Sequence, residues 1–284
     1  MPKALSEAQV AAYEREGYLA PVPVMSEAEA RAVRAELETI EAGTGGPLRG
    51  DLRHKAHLLF PFLADLIRHP AILDAIEDVL GPDLLCWNTN FFIKEAETPS
   101  FVSWHQDSTY WGLSEPAVCT AWVAITASTL ANGAMAVIPK SHTMDQIPHR
   151  DTFARHNLLT RGQEIAVEVD ESEAVPLVLR PGEMSLHHVR LVHGSPPNPS
   201  PDRRIGFAIR YIPTRIRQIE GNDSATLVRG TDRYHHFELE PRPDRAMQED
   251  MLMLHRRLTQ RAAQILYRGT GVDNFNDPRA VRGS

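Results

Sequence analysis

From Leu84 onward the chain is a succession of short apolar runs broken by turns, with no helical repeat between them. The runs are "LLCWNTNFFIK", "VCTAWVAIT", "GAMAVIPKSH", "VPLVLRPGEMSLHH", "VRLVHGSPPN" and "RIGFAIRYIP". Parallel strands need long crossover connections, usually helices, and these runs have none to offer. They therefore predict a mainly β fold, an antiparallel sandwich or barrel. A polar insert at about residues 145–174 interrupts the series.

Helices flank this core. "LSEAQVAAYEREG" offers Ser6 as N-cap, Gln9 to complete a capping box and Gly17 as a stop; "MSEAEARAVRAELETIEAG" repeats the pattern with Ser26, Glu29 and Gly43. "HPAILDAIEDVLGPD" has Pro70 in its first turn and Gly81 past its last. The expected organisation is one domain over 1–284, with a helical part at about 1–82, a β-core at about 83–240 and a closing helix at about 243–268. The final "RGS" carries no weight in this reading.

Bulk properties narrow the function. A hydrophobic fraction of 42% supplies a sizeable core, and a net charge of −7 leaves no electrostatic footprint for nucleic acid or an anionic membrane. Cys86 and Cys119 both lie in apolar strand-like runs and read as buried thiols rather than a disulfide framework. The amphipathic, acidic N-terminus has no apolar signal core, and no run reaches membrane-spanning length. A cytoplasmic protein acting on a small molecule is expected, with monomer and homodimer both open.

In "VSWHQDSTYW", His105 and Asp107 are two residues apart, so an extended backbone aims both from one face. His193, in "VRLVHGSPPN", ends an apolar run just before a turn, at a strand mouth. Two histidines and one carboxylate form the facial triad that binds Fe(II) and leaves coordination positions open. After His193, "RRIGFAIRY" alternates: Arg204, Gly206, Ala208 and Arg210 share one face, and Ile205, Phe207, Ile209 and Tyr211 the other. Guanidinium groups on a face cleared by Gly and Ala suit an anion, because Arg grips a carboxylate through a bidentate fork. The parity favours Arg204 over Arg203.

These residues carry a resemblance. "WHQD", "TAWVAIT", "NGAMAVIPKSH", "VHGSPPN" and "RRIGFAIRY", over roughly residues 85–215, resemble the phytanoyl-CoA dioxygenase family of Fe(II)- and 2-oxoglutarate-dependent oxygenases. The resemblance implies a double-stranded β-helix (jelly-roll, cupin-like) core. It implies that His105, Asp107 and His193 hold Fe(II), and that Arg204, helped by Ser195, holds the distal carboxylate of 2-oxoglutarate. Trp122, seventeen residues after His105, matches a tryptophan lining the cosubstrate pocket. The implied reaction uses O2 to hydroxylate a C–H bond of a small polar or anionic metabolite or natural-product intermediate, with release of succinate and CO2. In related halogenases Ala or Gly replaces the acidic ligand; Asp107 fills that place here.

Other positions are open to two readings. Asn88, Asn90, Phe92 and Lys94 share a face in "NTNFFIK" that fits a pocket border or a solvated surface; Asn90 is assigned to the cosubstrate and Lys94 to the substrate. Tyr110 and Trp111 fit a substrate wall or core, and Arg210 fits a substrate contact or an ion pair. Lys55 or His57 could reach an anionic substrate. His187, His188 and His142 read as structural, and His235 and His236 as solvated. Two rival functions share the fold: a redox-neutral metal-dependent cupin-like enzyme, and a non-catalytic small-molecule-binding relative.

Overall fold

In the computed structural model the described residues are 2–277, so the closing "RGS" lies outside them. Helix α1 (Glu7–Glu16) begins at a capping box in which Ser6 accepts from the Gln9 backbone and the Gln9 side chain accepts from Ser6. Strand β1 (Tyr18–Pro23) follows, which corrects the all-helical expectation for residues 1–82. Its two prolines hid it, and they are tolerated because the strand lies at a sheet edge. Helix α2 (Glu27–Thr44) uses the Ser26–Glu29 box but runs past Gly43 and is closed by Gly45, whose amide donates to the Glu41 carbonyl. Two further helices, α3 (Pro61–Leu66) and α4 (Pro70–Leu80), each start with proline in the first turn. On α4, Ile72, Leu73, Ala75 and Ile76 are buried, the 3.6-residue stripe its sequence shows.

The remaining strands are β2 (Leu84–Lys94), β3 (Val102–His105), β4 (Cys119–Ala124), β5 (Ala136–Val137), β6 (His149–Asp151), β7 (Gln163–Ile165), β8 (Val175–Pro176), β9 (Glu183–His188), β10 (His193–Ser195), β11 (Arg204–Pro213), β12 (Ser224–Arg229) and β13 (Glu238–Leu239). Seven form the major sheet, in the order β1-β9-β4-β11-β2-β12-β13, and four the minor sheet, β3-β10-β5-β8. The architecture is the double-stranded β-helix. The polar insert carries a hairpin, β6 with β7.

The major sheet has two unlike faces. Ile205, Phe207, Ile209 and Tyr211 of β11 join the largest core cluster with residues of α1 to α4. At about 1.5–3 kcal/mol for each large apolar side chain fully buried, this layer is what holds the helices to the sheet. The opposite face is polar and looks toward the minor sheet, so ligands have the space between the sheets. The final helix α5 (Glu249–Leu266) packs Ala262, Ala263 and Leu266 against Trp87 and Trp111 at one end of that space. No described helix is long and apolar enough to cross a membrane.

Candidate active site

His105 and His193 are direct register partners on adjacent antiparallel strands, which sets their imidazoles side by side with centroids 4.1 Å apart. Gln106 keeps an extended backbone and Asp107 opens the following turn, so the two-residue relation between His105 and Asp107 survives the end of β3. Ligating atoms of His105, Asp107 and His193 lie within 4.8 Å of one another, and all three residues are buried. Each histidine donates Nδ1–H to a backbone carbonyl, His105 to Ser103 and His193 to Leu191, both at 2.9 Å. That tautomer leaves Nε2 with a bare lone pair.

The triad fits a divalent metal. Nε2 of His105 faces Oδ1 of Asp107 at 3.4 Å. Both are acceptors in this tautomer, and a cation between them is what reconciles two facing lone pairs. Burial by itself would raise the Asp107 carboxyl; a hydrogen bond from the His105 ring, which forms only when Nε2 carries a proton and no metal, and the Arg210 charge outweigh it and hold Asp107 below the usual carboxylate range. Burial and neighbouring His105 push His193 well below the ordinary imidazole value. An ionised carboxylate and neutral imidazoles are the forms that bind metal.

Gln106, between the two ligands, points the other way and is fully buried. Its side chain donates to the Arg190 carbonyl at 2.9 Å and accepts from the Ile147 amide at 2.8 Å, while its backbone N–H donates to His149 at 2.9 Å. The residue between the ligands thus ties the metal loop to the polar insert. Alternation alone marks Gln106 as outward-facing but says nothing of these partners.

Across the cavity, four strands of the major sheet present one polar face in register. Arg204, Gly206, Ala208 and Arg210 of β11 pair with Lys94, Phe92, Asn90 and Asn88 of β2; Ala208 and Arg210 pair with Trp122 and Thr120 of β4, which face Ser185 and His187 of β9. Asn88 Oδ1, Asn90 Oδ1, Thr120 Oγ1, Ser185 Oγ, His187 Nδ1, Arg204 Nε and Arg210 Nε are all buried without a hydrogen-bond partner. Buried polar atoms are ordinarily satisfied, so a cluster of orphans on one cavity face marks a place where ligand or water belongs.

At one end, Arg204 is fully buried and donates Nη1–H to the Gly133 carbonyl at 2.6 Å. Burial lowers its guanidinium to about 10, so it stays charged at neutral pH. Its Cζ lies 5.2 Å from the Trp122 ring centroid. Gly206 makes room for that indole, since a Cβ there would meet Trp122 Cζ2 at 1.9 Å. Gly133 has φ +76°, and a Cβ on it would strike the Pro196 carbonyl at 2.4 Å. The first cavity, about 390 Å³, takes in the triad, Trp122, Ser195, Arg204 and Arg210.

The structure places some sequence-predicted residues elsewhere than expected. Lys94, expected at the substrate, is at the Arg204 end, where its Nζ is within donating reach of Ser195 Oγ at 2.6 Å and of the carbonyls of Gly133 and Pro196. Burial, then the Arg204 charge, lower Lys94 to about 6. Asn90, expected at the cosubstrate, instead lines a second cavity with Asn88, Trp111 and Arg210. Tyr110 lines neither, because the turn after Asp107 ends the strand period and carries its ring outward under Arg161, 3.7 Å from the guanidinium carbon. Arg203 pairs with Glu41 and Glu95 at the sheet rim. Lys55 and His57 are committed to buried Glu240, at 2.6 and 3.1 Å, and do not face either cavity.

Other histidines follow their expected roles in part. His142 bonds to the Glu14 carbonyl and stacks edge-on with His188, and His235 and His236 are exposed. His187, however, lines the first cavity with its ring 4.9 Å from His193, though it is outside the ligand cluster. Thr120, Ser185 and His54 were not anticipated. The first two share the parity of Trp122 and His187, which is the signal that could have found them.

A double-stranded β-helix with two histidines and a carboxylate on its minor sheet defines a class of cupin-like metal proteins. Residues 13–206 match the phytanoyl-CoA dioxygenase (PhyH) family, to which the chain belongs. A probable alpha-ketoglutarate-dependent hypophosphite dioxygenase of Stutzerimonas stutzeri is 31% identical over 159 residues, 55% of this chain and 54% of that protein. This chain is thus aligned over about half the length of that curated relative. The solved apo structure of ThoJ, a non-heme monooxygenase, is 36% identical with a TM-score of 0.81 over 91% of this chain and 97% of that one. CytC3, solved with Fe(II) and alpha-ketoglutarate, is 25% identical with a TM-score of 0.65 over 87% and 98%.

Proposed function

We propose that the protein is an Fe(II)- and 2-oxoglutarate-dependent oxygenase that hydroxylates a C–H bond of a small polar or anionic metabolite or natural-product intermediate. One observation carries the reading: a buried triad of metal-ready lone pairs faces a buried guanidinium across a cavity lined with unpartnered polar atoms. When bound, iron and 2-oxoglutarate supply O2-dependent C–H hydroxylation coupled to decarboxylation of the cosubstrate to succinate. His105, Asp107 and His193 hold the metal through Nε2, a carboxylate oxygen and Nε2.

The chain's remaining work is binding and exclusion. Arg204 and Ser195 grip the far carboxylate of the cosubstrate, with the Gly133 carbonyl fixing the guanidinium and Trp122 stacked beside it. Phe92, Val102 and Met135 line the same cavity and keep water from the reacting centre. Gln106 holds the loop that presents Asp107. The distant relatives named above, two of them iron or 2-oxoglutarate proteins by name, agree with this reading.

The test is spectroscopic. Fe(II) and 2-oxoglutarate added without oxygen give a weak visible charge-transfer band, and admitting O2 with a substrate yields succinate. His193→Ala, which removes a ligand histidine, abolishes the band. A wild-type protein that shows no band, or a variant that keeps it unchanged, contradicts the assignment.

A further inference from the structure

The second cavity, about 410 Å³, adjoins the first and shares Phe92, Asp107 and Arg210 with it. Arg210 is 6% exposed, and among the described residues no hydrogen bond or ion pair engages its guanidinium. Aromatic faces flank it instead, Trp111 at 5.2 Å and Phe92 at 5.8 Å. The acid whose charge acts on it is Asp107, which the oxygenase reading commits to the metal. Asn88 is the register partner of Arg210 across the sheet, and Asn90 lies one step along the same face. Neither carboxamide oxygen has a partner. His54 completes the wall: it bridges to the Asn90 backbone, its ring lies 3.8 Å over Phe275, and its Nδ1 is also unpartnered.

Charge balance says what this cavity lacks. A ferrous dication, a 2-oxoglutarate dianion, the Asp107 carboxylate and the Arg204 guanidinium cancel. Lys94 is the register partner of Arg204, at the other end of the face from Arg210, so a proton it takes up with the cosubstrate adds positive charge there and supplies no counter-charge for Arg210. Arg210 remains, a buried cation with no counter-charge of its own. A neutral substrate would leave it so, and a cationic one would make it worse.

We propose that the second cavity is the substrate site and that it selects a small monoanion, with the acidic group on Arg210 and Asn88 and the body of the molecule reaching Asn90 and His54. The proposal rests on the oxygenase reading and adds the substrate class to it. Trp111 and Leu158 bound the cavity on its apolar sides, so the molecule carries a flat or aliphatic body behind its acidic group. A carboxylate best fits a guanidinium fork and can also accept from the Asn88 amide N–H, while the acceptor oxygens of Asn88 and Asn90 call for donor groups on the body of the molecule.

The test uses benzoate and its neutral isostere benzamide as probes. Protein is loaded without oxygen with Fe(II) and saturating 2-oxoglutarate, so that the Arg204 end is filled, and the charge-transfer band is recorded first. Each probe is then titrated against tryptophan fluorescence and melting temperature. Benzoate is expected to bind at least tenfold more tightly than benzamide. Arg210→Met erases the preference, and Arg210→Lys retains part of it. Asn88→Asp places a carboxylate opposite Arg210; it is expected to abolish benzoate binding while holding or raising the melting temperature, which separates site loss from misfolding. Equal binding of the two probes, binding of neither, or an undiminished preference in Arg210→Met overturns the proposal. A missing band with the preference intact rejects the oxygenase and keeps the anion site; an intact band without the preference does the reverse.

Discussion

Arg204 and Arg210 stand on one face of one strand, six residues and therefore roughly 20 Å apart, and their surroundings differ. Arg204 is braced: the Gly133 carbonyl accepts from it, Lys94 and Ser195 sit beside it, and an indole packs against it through space left by a glycine. Arg210 is unbraced, held between aromatic faces and opposite carboxamides that bond to nothing. The braced end is built for one ligand of fixed length. The unbraced end has its polar atoms ready but not committed, as suits the part of an active site that distinguishes one enzyme from its relatives. On the proposed reading, reaction chemistry and substrate choice are carried by the same sheet face, and the triad opposite serves both.

The comparison can be strained from either end. Among substitutions that leave both arginines in place, the largest effect is expected from Gly206→Ala: its Cβ would fall 1.9 Å from the Trp122 ring, so the indole must move into the cavity beside Arg204. Overpacking of this kind costs about 1–3 kcal/mol; borne by the cosubstrate complex, that is a roughly 5- to 150-fold loss of 2-oxoglutarate affinity, read by titrating the charge-transfer band. Benzoate binding at the Arg210 end should change far less.

Gln106→Ala removes the bonds to Arg190 and Ile147 and frees the loop carrying Asp107. Loss of such outer support typically weakens metal by about tenfold. Fe(II) titration followed by band intensity at saturating 2-oxoglutarate measures it, and both ends of the face should suffer together.

The smallest effect is a pH dependence at the braced end. Burial and the Arg204 charge lower Lys94 from the ordinary lysine range to about 6, so well above that pH the free protein holds it largely neutral. Binding a dianion beside it draws a proton onto the amine, and 2-oxoglutarate affinity should therefore fall as pH rises from about 6 toward 10. Lys94→Met removes that slope with a change of only a few-fold at neutral pH. Calorimetry in buffers of different ionisation enthalpy shows whether the proton is taken up. The same shift bears on stability: the unfolded chain binds the proton that the folded apo protein refuses, so this residue's contribution rises with pH across that window.

What could be read from the sequence divides along the same line. His105 with Asp107, and Arg204, were legible from period-two spacing, and His193 from its place at the end of an apolar run before a turn; the choice of Arg204 over Arg203 is a parity argument that the burial of the first and the rim ion pairs of the second agree with. Asn88 to Lys94 were legible as a face. Their assignment was not, because which end meets the cosubstrate depends on the antiparallel register with β11, and a bulge between Arg210 and Tyr211 lets Trp87 and Asn88 crowd the same side. His54 comes from a short turn thirty-six residues before Asn90, and no local pattern links the two. Tyr110 failed for the opposite reason: a strand rule was carried one turn past the strand's end. Strand β1 was hidden by prolines that a central strand would not accept but an edge permits.

The central claim is that the two arginines divide their labour, Arg204 for the cosubstrate and Arg210 for the substrate. Anaerobic titration of the Fe(II)-loaded protein with 2-oxoglutarate tests it most directly, comparing wild type with Arg204→Met and Arg210→Met. Loss of a bidentate, charge-assisted grip should weaken 2-oxoglutarate roughly a hundredfold in Arg204→Met, with a change below about threefold in Arg210→Met. Equal losses in the two variants, or a greater loss in Arg210→Met, would contradict the division.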